Sequence, residues 1–152
     1  MPQIKRTDSA DKDFLSLVSS LDKDLAERDG KERDFYNRFN KLDKIKNVIV
    51  VYEGDIPAGC GAVKKYSDDT MEVKRMFTLP QYRSRGIASL VLAELEKWAM
   101  ELGYTKCILE TGKRQPEAIA LYKKCGYKII PNYDQYINIA NSVCFLKTIL
   151  PE

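Results

Sequence analysis

The sequence contains no histidine. That excludes Ser-His-Asp and Cys-His catalysis, imidazole metal ligands and imidazole general bases. Acid–base chemistry falls instead to Glu, Asp, Tyr, Lys, Cys or water. Cysteine is sparse: Cys60, Cys107, Cys125 and Cys144 are scattered without a CxxC pair. Free thiols in a reducing compartment are the expectation, and a zinc site is not. Neither a bilayer-length apolar run nor a signal-peptide pattern occurs, so a soluble, cytoplasmic protein without a membrane partner is expected. No sign of charge dominates either, since 25 basic and 22 acidic residues leave a net charge of +3. That balance argues against a nucleic-acid partner, and Lys64, Lys65, Lys74 and Arg75 do not extend into a continuous basic face.

What is present is an ordinary globular composition: 152 residues, 44% hydrophobic and 31% charged. No repeat, linker or low-complexity stretch divides the chain, so one domain over 1–152 is expected. A short strand fits Gln3–Arg6. Asp8 or Ser9 caps a helix whose apolar stripe is Phe14, Leu17, Val18, Leu21 and Leu25. Asp29-Gly30 ends it, and a second helix fits Lys31–Leu42. The period then changes to that of strands at Val48–Tyr52, Ala58–Tyr66 and Met71–Thr78, joined by short turns as an antiparallel meander.

From Ile87 the helical period returns, through Leu90, Val91, Leu95, Trp98, Ala99 and Leu102, and Gly103 closes that helix. Lys106–Glu110 reads as a strand. Strand, long helix and strand make a crossover, which requires Met71–Thr78 and Lys106–Glu110 to run parallel. Gln115 caps a further helix with Pro116 at its first position and Gly126 at its end. Strands near Tyr127–Ile130 and Ser142–Thr148 complete a mixed α/β architecture, with helices on the faces of a mixed sheet.

Arg83-Ser84-Arg85-Gly86-Ile87-Ala88 lies between a strand and the start of the long helix. The first turn of a helix offers free N–H groups and partial positive charge to an anion. Gly86 and the small Ala88 admit a phosphate close to the backbone. Arg83 and Arg85 add charge, and Ser89 adds a hydroxyl donor. A basic loop with an ordinary glycine is the competing reading.

R-x-x-G-x-A in this position resembles the coenzyme A motif of the GCN5-related N-acetyltransferases. Ala118-Ile119-Ala120-Leu121-Tyr122-Lys123-Lys124-Cys125-Gly126-Tyr127 is similar to the A-I-x-L-Y-x-K-x-G-F/Y block of the same family. The resemblance runs from Val48 to about Tyr127. It implies a mostly antiparallel sheet with one splayed parallel pair, and acetyl-coenzyme A as cofactor, with no metal. By the same resemblance Met76, Phe77 and Thr78 bond the pantetheine arm, while Arg83, Ser84, Arg85, Gly86, Ile87, Ala88 and Ser89 hold the pyrophosphate. Tyr122 matches the family's general acid at the cofactor thiol, although its place on an apolar face also suits simple packing. Gln115 stands where the family usually has Asn, so it reads either as a cofactor contact or as a helix cap.

An alkylammonium has a pKa near ~10 and must lose a proton before it attacks a thioester. Glu72 is the first candidate base and Glu110 the second. By the two-residue period Glu72, Lys74 and Met76 share a strand face, and Arg75 takes the other. Glu72 reads equally as a surface glutamate paired across the hairpin with a lysine. Lys74 would repel a polyamine and suit an amine that carries a carboxylate. Tyr36 and Phe39, with Phe35 and Arg38, match the family's acceptor wall, and Tyr133 and Tyr136 offer another. The expected reaction is direct acetyl transfer to a primary amine of a small molecule such as an amino acid, by a monomer or homodimer. A longer acyl donor, a protein N-terminal or lysine acceptor, and an acyl-coenzyme A sensor without turnover are the alternatives.

Overall fold

The computed structural model describes residues 2–29 and 44–149. Strand β1 (Gln3–Thr7), helix α1 (Lys12–Asp29), strands β2 (Asn47–Glu53), β3 (Ile56–Lys65) and β4 (Thr70–Thr78), and helix α2 (Ile87–Glu101) follow one another. Strand β5 (Lys106–Gly112), helix α3 (Pro116–Lys124) and strands β6 (Lys128–Ile130) and β7 (Ser142–Thr148) complete the order. The helix expected over Lys31–Leu42 lies outside the described residues. Helix α1 begins later than expected: Asp11, rather than Asp8 or Ser9, caps it by accepting from the Phe14 N–H at 3.0 Å. Asp8 instead accepts from Ala10 N–H in the preceding turn, and Ser9 Oγ accepts from Ile45 N–H.

The seven strands form one sheet in the order β1-β2-β3-β4-β5-β7-β6. Every neighbouring pair is antiparallel except β4 and β5, which run parallel as the crossover requires. That parallel ladder has only three rungs, ending at Glu72↔Ile108. Beyond it β4 and β5 part company, while β5 stays paired with β7 as far as Gly112↔Ser142. The sheet is thus split at its middle on the side where both parallel strands end.

Two apolar layers cover the sheet. Phe14, Leu17, Val18, Leu21 and Leu25 of α1 pack on Val48, Val50, Cys60, Ala62 and Phe77. On the opposite face Ile87, Val91, Leu92, Leu95 and Ala99 of α2 meet Ile49, Val51, Val63, Met71, Val73 and Leu109, with Tyr122 of α3 at the margin. Each large aliphatic side chain buried in this way contributes about 1.5–3 kcal/mol. The second layer requires Gly61: a Cβ there would lie 2.5 Å from Met76 Sδ and 2.7 Å from Val91 Cγ1.

Gly61 also stands opposite an irregularity in β4. Cys60 pairs with Phe77 and Ala62 with Lys74, so Arg75 and Met76 together face one residue of β3. This is a β-bulge, and Arg75 adopts the left-handed region at φ 60°. The Cys60 thiol donates to the Arg75 carbonyl at 3.4 Å, and the Arg75 guanidinium donates to Asp22 of α1 at 3.1 Å.

Candidate active site

The bulge corrects the strand-face expectation. One inserted residue shifts the alternation by one step. Glu72 and Lys74 face α1, as expected of each other, but Met76 is turned to the α2 face, where it packs in that core. Arg75 is buried on the α1 side rather than set on the opposite strand face. The strain at Arg75 is offset by its pairing with Asp22, and the result is a strand whose two ends present different faces.

Two cavities flank this point. The larger, about 520 Å³, runs from Met76-Phe77-Thr78 along Arg83, Ser84, Gly86, Ile87, Ala88 and Ser89 to Gln115 and Tyr122 of the other motif. Gly86 sits at the helix start with φ 81°, a conformation that penalises any side chain. Open space surrounds the position its Cβ would take. The first N–H groups of α2 follow directly, as an anion site requires. Arg83 lines the cavity while its Nε donates to the Thr78 carbonyl at 3.0 Å. Arg85 is turned onto the Tyr82 ring, 5.3 Å from its centroid. The Ser89 hydroxyl lies 3.9 Å from Cys125 Sγ. Gln115 occupies the cap position of α3, yet its side chain makes no capping bond; it lines both cavities instead.

The smaller cavity, about 100 Å³, fills the gap between the splayed strands. Glu72, Lys74 and Arg75 come from β4, Glu110 and Thr111 from β5, Tyr136 from the segment before β7, and Leu21 and Leu25 from α1. Each carboxylate is held by a hydroxyl. Tyr133 donates to Glu72 Oε2 at 2.7 Å, and Ser142 donates to Glu110 Oε2 at 2.7 Å. Lys74 Nζ lies 4.0 Å from Glu72 Oε1. Burial holds the Lys74 ammonium below its ordinary pKa, against the opposing pull of Glu72. The Tyr136 phenol is pushed well above its usual range by burial and then by Glu110 and Glu72.

Tyr122 belongs to both cavities, together with Leu21, Met76, Gln115 and Ala118. Its ring is fixed by an edge contact to Tyr127 at 5.8 Å and a tilted one to Phe145 at 5.8 Å. Burial, reinforced by the charge of Glu110, drives its phenol far above the ordinary value, so it is a proton donor at neutral pH. Tyr127, the last residue of the same block, has a different job: its hydroxyl donates to the buried Glu96 of α2 at 2.9 Å.

Every expected cofactor residue except Arg85 therefore lines the larger cavity. Tyr36 and Phe39, like Phe35 and Arg38, lie outside the described residues. The sequence reading missed Leu21 and Asp24 of α1 and Tyr82 and Lys124 at the larger cavity. It also missed the Tyr133–Glu72 and Asp22–Arg75 contacts. Leu21 carries no signal beyond its place in an apolar stripe. Among the described residues, no helix is long and apolar enough to cross a membrane, and no three His, Cys, Asp or Glu side chains are grouped to hold a metal ion.

The family model for the acetyltransferase (GNAT) family matches residues 14–127. The chain belongs to the GNAT family. The N-acetyltransferase YjgM of Escherichia coli K12, itself uncharacterized, is 34% identical over 84 residues, covering 54% of this chain and 50% of that protein. YsnE of Bacillus subtilis 168, likewise an uncharacterized N-acetyltransferase, is 33% identical over 112 residues, covering 70% of this chain and 74% of that protein. The first relatives are matched over 50%, 64% and 40% of their own length. A crystal structure from Klebsiella pneumoniae, provisionally assigned as an acyl-CoA N-acyltransferase, superposes with a TM-score of 0.81 at 25% identity, covering 99% of both chains. A GNAT acetyltransferase of Elizabethkingia anophelis with acetyl-CoA bound shares the fold, with a TM-score of 0.67 at 16% identity and 97% of each chain covered.

Proposed function

We propose that this GNAT chain is an acetyl-coenzyme A-dependent N-acetyltransferase whose acceptor is a small primary amine that also carries a carboxylate. One observation carries the proposal: a large cavity beside the phosphate-type turn meets a small polar cavity at Tyr122. A donor and an acceptor approaching from opposite sides would meet there, as direct attack in a ternary complex requires. The residues suit coenzyme A. Gly86 leaves space beside the first N–H groups of α2, Arg83 and Ser84 line that space, and Met76–Thr78 form a strand edge no longer paired with β5.

Acetyl-coenzyme A supplies, when bound, an acetyl group activated as a thioester. The chain's own part is to bind, orient and move protons. The turn from Arg83 to Ser89 holds the pyrophosphate through backbone N–H groups and positive charge. Glu72 takes the proton that the acceptor ammonium must lose, directly or through water. Lys74, close to Glu72, pairs with the acceptor's carboxylate. Tyr122 keeps its proton and supplies it, or a hydrogen bond, where sulfur leaves. Its strongly raised pKa favours the hydrogen bond over complete transfer. Glu110, fixed by Ser142, adds a second negative charge that draws an ammonium into the cavity. Four free thiols suit work in the cytoplasm.

A panel of amines with acetyl-coenzyme A, followed by thiol release, tests the reading. Turnover should be fastest with amino-carboxylate acceptors. Calorimetric binding of coenzyme A with no thiol release from any amine would make the chain a sensor instead. Preference for a peptide N-terminus or lysine would move the acceptor to proteins.

A further inference from the structure

A glutamate side chain has three rotatable bonds, so a carboxylate meant to receive a proton at one place must be fixed by something else. For Glu72 the fixing group comes from far along the chain. Tyr133 donates to its Oε2 at 2.7 Å. The Tyr133 ring is itself clamped edge-on by Tyr66, at 5.4 Å between centroids, and by Tyr136, at 5.5 Å. The segment carrying it is stapled by Asn132, whose amide donates to the carbonyls of Tyr136, Ile139 and Ser142 at 3.1, 3.2 and 3.2 Å. Glu72 lines the small cavity together with Tyr136, whereas Tyr133 stands behind the carboxylate rather than on the cavity wall.

We propose that Tyr133 is a positioning residue, holding the Glu72 carboxylate toward the acceptor cavity, and that the Asn132 staple sets its place. The role in turnover rests on the acetyl-transfer reading; the effect on Glu72 does not. Burial, and then the charge of Glu72, keep the Tyr133 phenol protonated far above neutral pH, so it is a donor wherever the enzyme works. The other charged or titratable groups facing this point are Lys74 beside it, Lys64 opposite on β3, Glu110 across the split, Cys144 on β7, and Tyr66 and Tyr136.

The decisive variant is Tyr133→Phe, which keeps the ring and removes the donor. With carbon-13 in the glutamate carboxyls, the Glu72 carboxyl resonance at neutral pH should shift in the variant, because the bond that fixes Oε2 is gone. In the thiol-release assay kcat should fall by about tenfold, while KM for acetyl-coenzyme A holds. On a Glu72→Gln background Tyr133→Phe should bring no further loss. An identical Glu72 carboxyl resonance in wild type and variant overturns the proposal, even if the variant melts earlier. If Tyr133→Phe does not fold, Asn132→Ala, which frees the segment and keeps the phenol, should shift the same resonance, and no movement there also overturns it. A wild type that releases no thiol refutes the acetyl-transfer reading alone, because the NMR resonance needs no turnover.

Discussion

The two cavities are built in opposite ways. The larger one draws most of its wall from a single stretch, Met76 to Ser89, and finishes with α3. Its chemistry is largely backbone: a strand edge, a glycine with φ 81°, and the first N–H groups of a helix. The smaller one is assembled from side chains on α1, β4, β5 and the segment before β7, from Leu21 to Tyr136. Under the proposed function the cofactor meets a local device and the acceptor meets scattered side chains on a common frame, so the two ends should fail differently when altered.

The largest effect is expected at the backbone device. Gly86→Asp adds a β-carbon at φ 81°, costing about 1–2 kcal/mol. It also sets a negative charge against the pyrophosphate, costing a few kcal/mol more. Together these weaken coenzyme A binding by about 1,000-fold or more. Gly86→Ala removes the charge and should retain a loss of only about tenfold. Titration calorimetry separates the two contributions, and unchanged affinity in Gly86→Asp would remove the turn from the cofactor site.

At the junction the expected effect is smaller and falls on the chemical step. Tyr122→Phe should lower kcat by about 10- to 100-fold, with coenzyme A affinity nearly kept because the ring contacts to Tyr127 and Phe145 survive. Wild-type turnover across the pH range would leave Tyr122 as core alone. On the acceptor side, Lys74→Ala should raise KM for an amino-carboxylate by about tenfold, the worth of one charge-assisted contact of about 1.5 kcal/mol. KM for a simple amine should change little, since that amine has no carboxylate for Lys74 to meet. Equal effects on both acceptors would contradict the carboxylate preference and redirect attention to Glu110.

This difference in construction also explains what could be read in advance. The meander, the crossover, the phosphate turn and the Tyr122 block are local patterns, and a period or a short motif reports each of them. The bulge at Arg75 was not legible, because two residues facing Gly61 leave no mark in the alternation of β4 itself. Its consequence was therefore misread: Met76 was assigned the face of Glu72. The placement of β7 between β5 and β6 and the bond from Tyr133 to Glu72, 61 residues apart, depend on tertiary packing alone. Gln115 was legible as a residue and ambiguous in role. Its side chain makes no capping bond and the residue lines both cavities, as a cofactor contact would.

The smallest effect tests which of the two cavities α1 supports first. Asp11 caps α1 through the Phe14 N–H and pairs with Lys5 Nζ at 2.6 Å. Asp11→Ala should destabilise the fold by about 1 kcal/mol, read as a lower denaturant midpoint at unchanged slope. Burial opposes ionisation of Asp11, but the bonds from Lys5 and the Phe14 N–H outweigh it and lower its pKa on balance. A carboxylate with a depressed folded pKa stabilises fully above the unfolded value, near ~4, and loses that contribution as pH falls through the folded value. The gap between wild type and variant should therefore be constant from neutral pH down to about 5 and shrink below about 4. Leu21 and Leu25 of α1 reach the small cavity and Asp22 holds its Arg75, whereas Leu21 and Asp24 reach the large one. Loosening α1 should therefore raise acceptor KM before it disturbs coenzyme A affinity. The reverse order would show that α1 supports the cofactor end as well, and that the division between a local and an assembled cavity is drawn too sharply.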